Sequence, residues 1–282
     1  MKYTFVSLGR LESFGIRLGG AGLGNILFPW ARALVYAQEN HCIRIQTTWK
    51  NLKIGTFLRK EKDKRLYFDL FTEKDGISGF KKFWLLNFSK QVKYFRGMNN
   101  LFTSFKGKQF YIKEELLKIV SPHHCKNALK FNANSIGIHI RMGDFIRPDD
   151  EQTLRNGAWN YRLPIKWYQR IIEKINEKSD LPICIFSDAD EEDLQALLKL
   201  KNCRTVHFGS AISDLIALSN SKVLVSSGST FSMWASFLGQ MPTIWFPGQM
   251  RQNLINDRSL FEGEIDYDDE LPDSIIKMIT DD

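Results

Sequence analysis

The sequence predicts an α/β protein built on a parallel sheet, and two patterns carry this prediction. From residue 135 onward, short apolar segments typical of buried strands alternate with segments whose apolar residues recur at helical spacing. Strands that alternate with helices in this way form a doubly wound parallel sheet. Near the N-terminus, residues 14–38 repeat the order of strand, glycine loop and helix. With 282 residues, 43% of them hydrophobic, the chain can bury one large core or two modest ones.

The N-terminal elements begin with a short predicted strand, F-G-I-R-L at residues 14–18. The loop G-G-A-G-L-G-N at residues 19–25 follows; glycines of this kind form a tight turn or let the backbone approach a ligand closely. Apolar spacing over residues 26–38 predicts a helix, with Pro29 in its first turn, where its missing N–H costs nothing. The loop lacks the G-x-G-x-x-G fingerprint and no Gly-Lys-Ser/Thr follows, so neither a dinucleotide site nor a P-loop is predicted. Residues 41–47 alternate and predict the next strand.

The middle of the chain, residues 50–130, shows no clear period. Residues 50–113 hold 16 Lys and Arg against 5 Asp and Glu, a local net charge of +11, whereas residues 257–282 carry −8. Aromatic residues are interleaved with the basic ones between Phe80 and Tyr111. A solvated basic face explains this stretch, and so does a surface that meets a phosphorylated substrate or a membrane. Nucleic-acid binding is not predicted, because no known binding motif accompanies the charge.

Composition excludes several classes of protein. No run of 18 apolar residues is present and the N-terminus lacks the long apolar stretch of a signal peptide, so we expect a soluble cytoplasmic protein. The cysteines, Cys42, Cys125, Cys184 and Cys203, show no C-x-x-C spacing, which predicts neither a zinc knuckle nor a disulfide framework. The adjacent residues 123–125, His-His-Cys, are interpreted as a loop or helix-end cluster rather than a metal site.

The segment S-I-G-I-H-I-R-M-G-D at residues 135–144 is the most informative part of the chain. Isoleucine at every second position predicts a buried strand with His139 and Arg141 on its other face. Gly143 and Asp144 then follow the carboxyl end of the strand, where open α/β sheets bind their ligands. Because a buried arginine needs a partner, Arg141 is predicted either to bind an anionic ligand or to form an internal salt bridge with Asp144.

Two further strand ends carry polar side chains. Ser187 and Asp188 end one predicted strand, where the carboxylate either accepts from a purine N–H or a ribose hydroxyl or simply forms a turn. The segment S-S-G-S-T at residues 226–230 joins a strand to a helix; Ser229 or Thr230 is expected to cap that helix, and its amino end is a natural phosphate seat. The predicted helices in this half begin at residues 164, 190, 212 and 231, and the predicted strands after residue 141 cover residues 182–188, 205–208, 222–226 and 242–246.

Together these segments resemble the bacterial α-1,2-fucosyltransferases and the wider superfamily of GDP-fucose-dependent enzymes. The resemblance rests on G-G-A-G-L-G-N-I-L-F-P-W-A at residues 19–31, H-I-R-M-G-D at 139–144, F-S-D at 186–188 and S-T-F-S-M-W-A-S-F-L-G at 229–239. It implies a GT-B-like fold of two facing Rossmann-type domains with the active site in the cleft between them. Residues 1–130 would then form the acceptor-side domain and residues 131–282 the domain that binds the nucleotide sugar. The chain departs from the family pattern in the glycine loop and at Met142, which bears on acceptor and donor choice.

The resemblance also implies roles for individual residues. Arg141 would clamp the donor diphosphate, Asp144 is the best-placed catalytic base, and His139 would orient the loop or touch the nucleotide. Alternative bases are the acids at residues 149–151, or no dedicated base at all. The D-A-D sequence at residues 188–190 also matches a metal–diphosphate signature, but Asp190 is expected to cap a helix, and no metal or cofactor is predicted. Donor contacts fall on Arg141, Gly143, Ser187, Asp188, Ser229, Thr230 and Phe231, and acceptor-side contacts on Gly22, Gly24 and Asn25.

The expected function is therefore a metal-independent, inverting transfer of L-fucose from GDP-fucose to a hydroxyl of a glycan, in an α-1,2 linkage. The expected acceptor is a bacterial surface polysaccharide such as an O-antigen repeat, still attached to lipid, with peripheral contact between the protein and the inner membrane. Two alternatives stay open: an enzyme of the same fold that uses another nucleotide sugar, and a catalytically silent protein that binds a nucleotide sugar or glycan.

Overall fold

The computed structural model describes residues 1–18, 21–52, 67 and 69–281. The chain divides into two compact units, Met1–Cys125 and Lys126–Asp282. Each unit contains a sheet of parallel strands flanked by helices, which confirms the predicted α/β class. Gly19 and Gly20, part of the predicted glycine loop, lie outside the described residues. The facing arrangement of two domains around a cleft stays a prediction.

Unit 1 is organised around strand β1 (Tyr3–Val6), which lies at the centre of a three-stranded sheet. Phe5 of this strand packs in a small apolar core with Ile45, Leu85 and Val92. The other strands are β2 (Arg17–Leu18), β3 (Ile43–Arg44), β4 (Asn51–Leu52) and β5 (Val92–Phe95); the sheet order is β3–β1–β5, and β2 pairs with β4. The described helices are α1 (Leu23–Glu39), α2 (Gly79–Phe88), α3 (Gln109–Ile119) and α4 (Pro122–Ala128), which crosses the boundary between the units.

Helix α1 begins earlier than its apolar spacing indicated. Gly22 occupies the N-cap position and its carbonyl accepts from the N–H of Ile26 at 3.2 Å, so the helix starts at Leu23. Pro29 is consequently the seventh residue of the helix, and the prediction that it lies in the first turn is wrong. Since proline has no N–H to donate to the carbonyl four residues earlier, one hydrogen bond of the helical series is missing there.

Unit 2 contains a six-stranded sheet in which every neighbouring pair is parallel. Its strands are β6 (Ile136–Ile140), β7 (Ile183–Ser187), β8 (Cys203–Thr205), β9 (Val223–Val225), β10 (Thr243–Trp245) and β11 (Glu262–Glu264). Its helices after α4 are α5 (Glu151–Arg155), α6 (Ile165–Asn176), α7 (Glu191–Leu198), α8 (Ala211–Leu218), α9 (Thr230–Gly239) and α10 (Asp273–Thr280). The spatial order is β11–β10–β9–β6–β7–β8, so the direction of winding reverses between β6 and β9. This is the topological switch point at which doubly wound sheets bind ligands.

Helices cover both faces of this sheet, as the alternation of strands and helices along the chain predicted. Ile136, Ile138 and Ile140 lie in one apolar cluster with Trp167 of α6. On the other face, a Cβ atom at Gly137 would lie 2.7 Å from the side chain of Leu218 in α8, so only glycine fits there. All five residues of β6 are buried, as is typical of a central parallel strand.

Further elements differ from the predictions, among them three strands. The strand predicted at residues 205–208 ends at Thr205, and the strand predicted from residue 14 begins only at Arg17, because Glu12–Phe14 form a 3-10 turn. Strand β11, with the sequence E-G-E, escaped prediction because it lies at the sheet edge and carries no apolar alternation. In the described part of the chain, no helix combines the length and the hydrophobicity that crossing a bilayer requires.

Candidate functional site

The carboxyl ends of β6, β7 and β9 bring three predicted segments to one edge of the unit 2 sheet. These strands are neighbours in the order β9–β6–β7 and run parallel, so the residues that follow them lie together. The loop after β6 carries Arg141 and Asp144, β7 ends at Ser187 with Asp188 next, and β9 leads into the serine loop at residues 226–229. The predicted donor-side residues therefore meet at the switch point.

Arg141 lies between two carboxylates. Its Nη1 donates to Asp188 Oδ2 and its Nη2 donates to Asp144 Oδ1. The pairing with Asp144 that the sequence offered as an alternative is thus present, and Asp188 is a second partner. A guanidinium has five N–H donors. Among the described residues Arg141 uses two of them, which leaves three for an anionic ligand. The side chain of Arg141 keeps 23% of its exposure, so it is accessible to such a ligand.

Asp188 also fixes the backbone of the loop after β6. Its Oδ1 accepts from the N–H of Met142 at 2.8 Å. A Cβ atom at Gly143 would collide with Asp188 Oδ2, so glycine allows the carboxylate to lie this close to the loop. Arg162, which sequence reasoning did not single out, donates through Nε to the carbonyl of Phe145 at 2.8 Å. The loop that presents Arg141 is therefore held from both sides.

The hydroxyl of Ser187 forms hydrogen bonds with backbone groups of the protein. It donates to the carbonyl of Ile140 at 2.9 Å and accepts from the N–H of Ala189 at 3.0 Å. These bonds stabilise the turn after β7. Asp190 occupies the N-cap position of α7, as expected for a capping residue, although its side chain makes no capping hydrogen bond there.

His139 takes different partners from Arg141. Its Nδ1 lies 2.7 Å from the hydroxyl of Ser227, and its ring stacks on Phe231 with centroids 4.8 Å apart. Burial lowers the pKa of His139 to about 3, although the carboxylate of Asp188 opposes that shift. The imidazole is therefore neutral at physiological pH and a weak proton acceptor. This geometry fits a residue that orients the loop better than a general base.

The serine loop leads from β9 into the amino end of α9. Ser229 is the N-cap and its hydroxyl accepts from the N–H of Ser232 at 3.4 Å, which confirms the predicted cap. Ser227, which the prediction did not single out, donates to the hydroxyl of Ser229 at 3.0 Å and so links the cap to His139. Thr230 is the first helical residue. The positive end of the helix and these hydroxyls lie at the same sheet edge as Arg141, an arrangement suited to phosphate.

Gly228 is expected to be required for the shape of this loop. Its φ is +71°, and a Cβ atom there would lie 2.9 Å from Oε1 of Gln249. A left-handed conformation costs a residue with a Cβ about 1–2 kcal/mol. Replacing Gly228 with alanine should lower the free energy of unfolding by more than this, because the added Cβ also crowds Gln249. Urea unfolding measures this change. The control is Gly209→Ala, which has a φ of +87° but only an ordinary contact with Asn127 at 3.5 Å; equal losses in the two variants would contradict a role for the contact with Gln249.

A cavity of about 380 Å³ lies beside the loop after β6. Its size falls within the range of small-molecule sites, roughly 300–1,000 Å³. Acidic and basic side chains on its wall are suited to the hydroxyl groups of a sugar. The charged lining residues are Arg147, Asp149, Asp150, Glu151, Arg162 and Asp193.

The predicted acceptor-side residues lie at the amino end of α1 in unit 1. Gly22 is the N-cap, and Gly24 and Asn25 are in the first turn. The strand and the helix predicted on either side of this segment are present, since β2 ends at Leu18 and α1 begins at Leu23. Their role toward an acceptor stays a prediction.

A second group of polar side chains lies elsewhere in unit 1. The predicted cluster at residues 123–125 falls in α4, and Asp69 joins its two histidines. Asp69 Oδ2 lies 3.5 Å from His123 Nε2 and 3.4 Å from His124 Nε2. These three residues, without Cys125, have their donor atoms within 4.8 Å of one another, close enough to hold a metal ion.

Comparison with known proteins is consistent with a glycosyltransferase. The model of a family described as glycosyl transferase family 11 matches residues 26–253. The O-antigen biosynthesis glycosyltransferase WbnK of Escherichia coli is 28% identical over 161 residues, which cover 52% of this chain and 51% of that protein. The chain therefore aligns with about half the length of this curated relative.

Two solved structures are also similar to the chain, at low identity. POFUT1 in its apo form is 14% identical with a TM-score of 0.44, and the match covers 87% of this chain and 97% of that one. Fucosyltransferase NodZ from Bradyrhizobium is 13% identical with a TM-score of 0.43, covering 87% and 94%. Neither score reaches 0.5, so the family assignment rests on the family model.

Proposed function

Because the chain belongs to glycosyl transferase family 11, we propose that it transfers L-fucose from GDP-fucose to a hydroxyl group of a glycan acceptor. The observation that carries this proposal is Arg141, presented at the switch point of a parallel sheet beside the capped amino end of α9. A diphosphate at that edge would meet a guanidinium, three of whose N–H donors make no hydrogen bond to a described residue, and the positive end of a helix. Both interactions are typical of phosphate recognition.

The proposed reaction is a direct displacement at the anomeric carbon of fucose. The acceptor oxygen forms a bond to that carbon from the face opposite GDP, while the bond from the carbon to the β-phosphate oxygen breaks. The acceptor hydroxyl loses its proton, and GDP leaves with the electron pair of the broken bond. Negative charge therefore develops on the β-phosphate, where Arg141 stabilises it. This charge compensation supports a reaction that needs no divalent metal ion.

Asp144 is proposed as the base that accepts the proton. Its carboxylate is half exposed and lies next to the diphosphate-binding guanidinium. Among the alternative acids, Asp150 caps α5 by accepting from the N–H of Thr153 at 2.8 Å, and Glu151 accepts from the hydroxyl of Tyr267 at 2.6 Å. We prefer Asp144 because its partner is Arg141, so its carboxylate lies beside the proposed diphosphate site, whereas Asp150 and Glu151 bond to Thr153 and Tyr267.

The remaining donor contacts are proposed for Gly143, Asp188, Ser229, Thr230 and Phe231, which border Arg141 or the serine loop. The resemblance to α-1,2-fucosyltransferases supports an α-1,2 linkage made with inversion. The Escherichia coli relative is an O-antigen biosynthesis glycosyltransferase, which supports an acceptor in O-antigen synthesis. We propose an acceptor that is still attached to lipid, at the cytoplasmic side of the inner membrane.

Thermal stabilisation by nucleotides tests the donor assignment. In a buffer with EDTA, GDP and GDP-fucose at a hundred times their dissociation constants should each raise the free energy of unfolding by about 2.7 kcal/mol. UDP and UDP-sugars at the same concentrations are the matched controls and should give much smaller shifts. Stabilisation by the UDP compounds alone would replace fucose with another sugar donor. Binding of GDP-fucose without release of GDP in the presence of glycan acceptors would favour the silent binding protein.

A further inference from the structure

Helix α2 buries a lysine and exposes aromatic residues, the reverse of an ordinary surface helix. Its buried side chains are Lys82 and Leu85. The Nζ of Lys82 donates to the carbonyl of Gln46 at 2.7 Å and to the hydroxyl of Thr48 at 2.6 Å. Surface helices normally bury their aromatic residues and expose their lysines. Here the lysine is inside, so its hydrogen bonds and Leu85 fix which face of the helix points outward.

The outward face carries large aromatic side chains. Phe80, Trp84 and Phe88 recur every four residues and are 81%, 50% and 66% exposed. Phe83 joins them to Phe14 of the neighbouring 3-10 turn, which is 69% exposed, with ring centroids 5.5 Å apart. The centroids of Phe80 and Phe83 are 6.3 Å apart. We call these five residues the aromatic surface; a continuous exposed apolar area of this kind marks an interaction site.

The segment of the chain that carries α2 is positively charged. Residues 76–113 contain eight Lys and Arg residues and no Asp or Glu. Lys81 and Lys90, within and just after α2, are exposed. A partner for this region therefore needs an apolar layer that accepts the aromatic side chains, together with negative charge. Two copies of the chain would bring two positive surfaces together, which disfavours self-association through this face.

We propose that the aromatic surface docks onto an anionic lipid bilayer. Trp and Phe are suited to the boundary between headgroups and acyl chains, and nearby lysines bind acidic headgroups. The proposal rests on the proposed function in one respect: an acceptor that carries lipid would be presented at the membrane. It adds which face of unit 1 meets the lipid.

Flotation with vesicles tests this docking without donor or acceptor present. The full chain should float with vesicles that contain phosphatidylglycerol and stay unbound with pure phosphatidylcholine, and raising the salt concentration should release it. Phe80→Gln combined with Trp84→Gln should abolish flotation. Lys81→Gln and Lys90→Gln should each weaken binding about fivefold, since one lysine near an anionic surface contributes about 1 kcal/mol.

The control variant is Leu129→Gln, which changes a residue that is 78% exposed in unit 2, and it should float like the wild type. Equal flotation of the Phe80/Trp84 double variant and the wild type would overturn the proposal. So would equal binding to neutral and anionic vesicles, or a dimer in solution that the double variant abolishes. Stabilisation by GDP, measured on the same variants, separates the two proposals. The double variant should still be stabilised by GDP. If GDP does not stabilise the wild type, the donor assignment is wrong, and the result of the flotation experiment is unaffected.

Discussion

Replacing Arg141 with alanine is expected to lower kcat/KM for fucosyl transfer by about a hundred- to a thousandfold. Removing one preorganised donor to a developing charge typically costs about 2.7–4 kcal/mol of transition-state stabilisation. Arg141 is presented by a loop that Asp188 and Arg162 hold in place, so its position is largely set before a ligand binds. The same variant should lose its thermal stabilisation by GDP. Steady-state kinetics and thermal unfolding with and without GDP measure the two effects.

Two further variants show whether charge or geometry is responsible. Arg141→Lys keeps the positive charge but not the paired N–H donors, so it should recover only part of the activity. Arg170→Ala removes an exposed arginine that pairs with Glu173 at 3.1 Å on α6, and it should behave like the wild type. Full stabilisation of Arg141→Ala by GDP, together with a lower stability of the free protein, would identify Arg141 as a structural partner of Asp144 and Asp188.

Local sequence patterns were sufficient to predict the central part of unit 2. Isoleucine at every second position of β6 fixed both its burial and the face that carries His139. The Ser-Thr pair before an apolar run predicted a cap of α9 at Ser229 or Thr230, and Ser229 is the cap. Both features depend on residues close together in the chain, so the alternation of a strand and the capping residue of a helix can be recognised from the sequence.

Contacts between distant segments were beyond these patterns. Asp188 meets Arg141 across 47 positions of sequence, and Ser227 meets His139 across 88. Such pairs are set by the order of strands in the sheet, which periodicity does not specify. The exposed aromatic face of α2 was not predicted either, because aromatic residues at helical spacing ordinarily indicate a buried face. The hydrogen bonds of Lys82 and the burial of Leu85 show which face is inside.

The stability of the folded protein is expected to fall in mild acid because of His139. The unfolded chain takes up a proton at this histidine near pH 6.5, whereas burial holds the folded pKa at about 3. Between these values the unfolded state binds more protons, so the free energy of unfolding decreases as the pH falls. From pH 7.5 to pH 5.0 the contribution of this one group is about 2 kcal/mol.

Urea unfolding of the wild type and of His139→Gln at both pH values isolates that contribution. The glutamine variant is expected to be less stable at pH 7.5, because the stacking on Phe231 and the contact with Ser227 change, but to lose about 2 kcal/mol less on acidification. Other titrating groups act in both proteins and cancel in the difference. His41→Gln, at an exposed histidine, is the control and should retain the wild-type response to acid. Equal losses in the wild type and in His139→Gln would mean that folding does not lower the pKa of His139, which would contradict its assignment as a neutral residue that orients the loop.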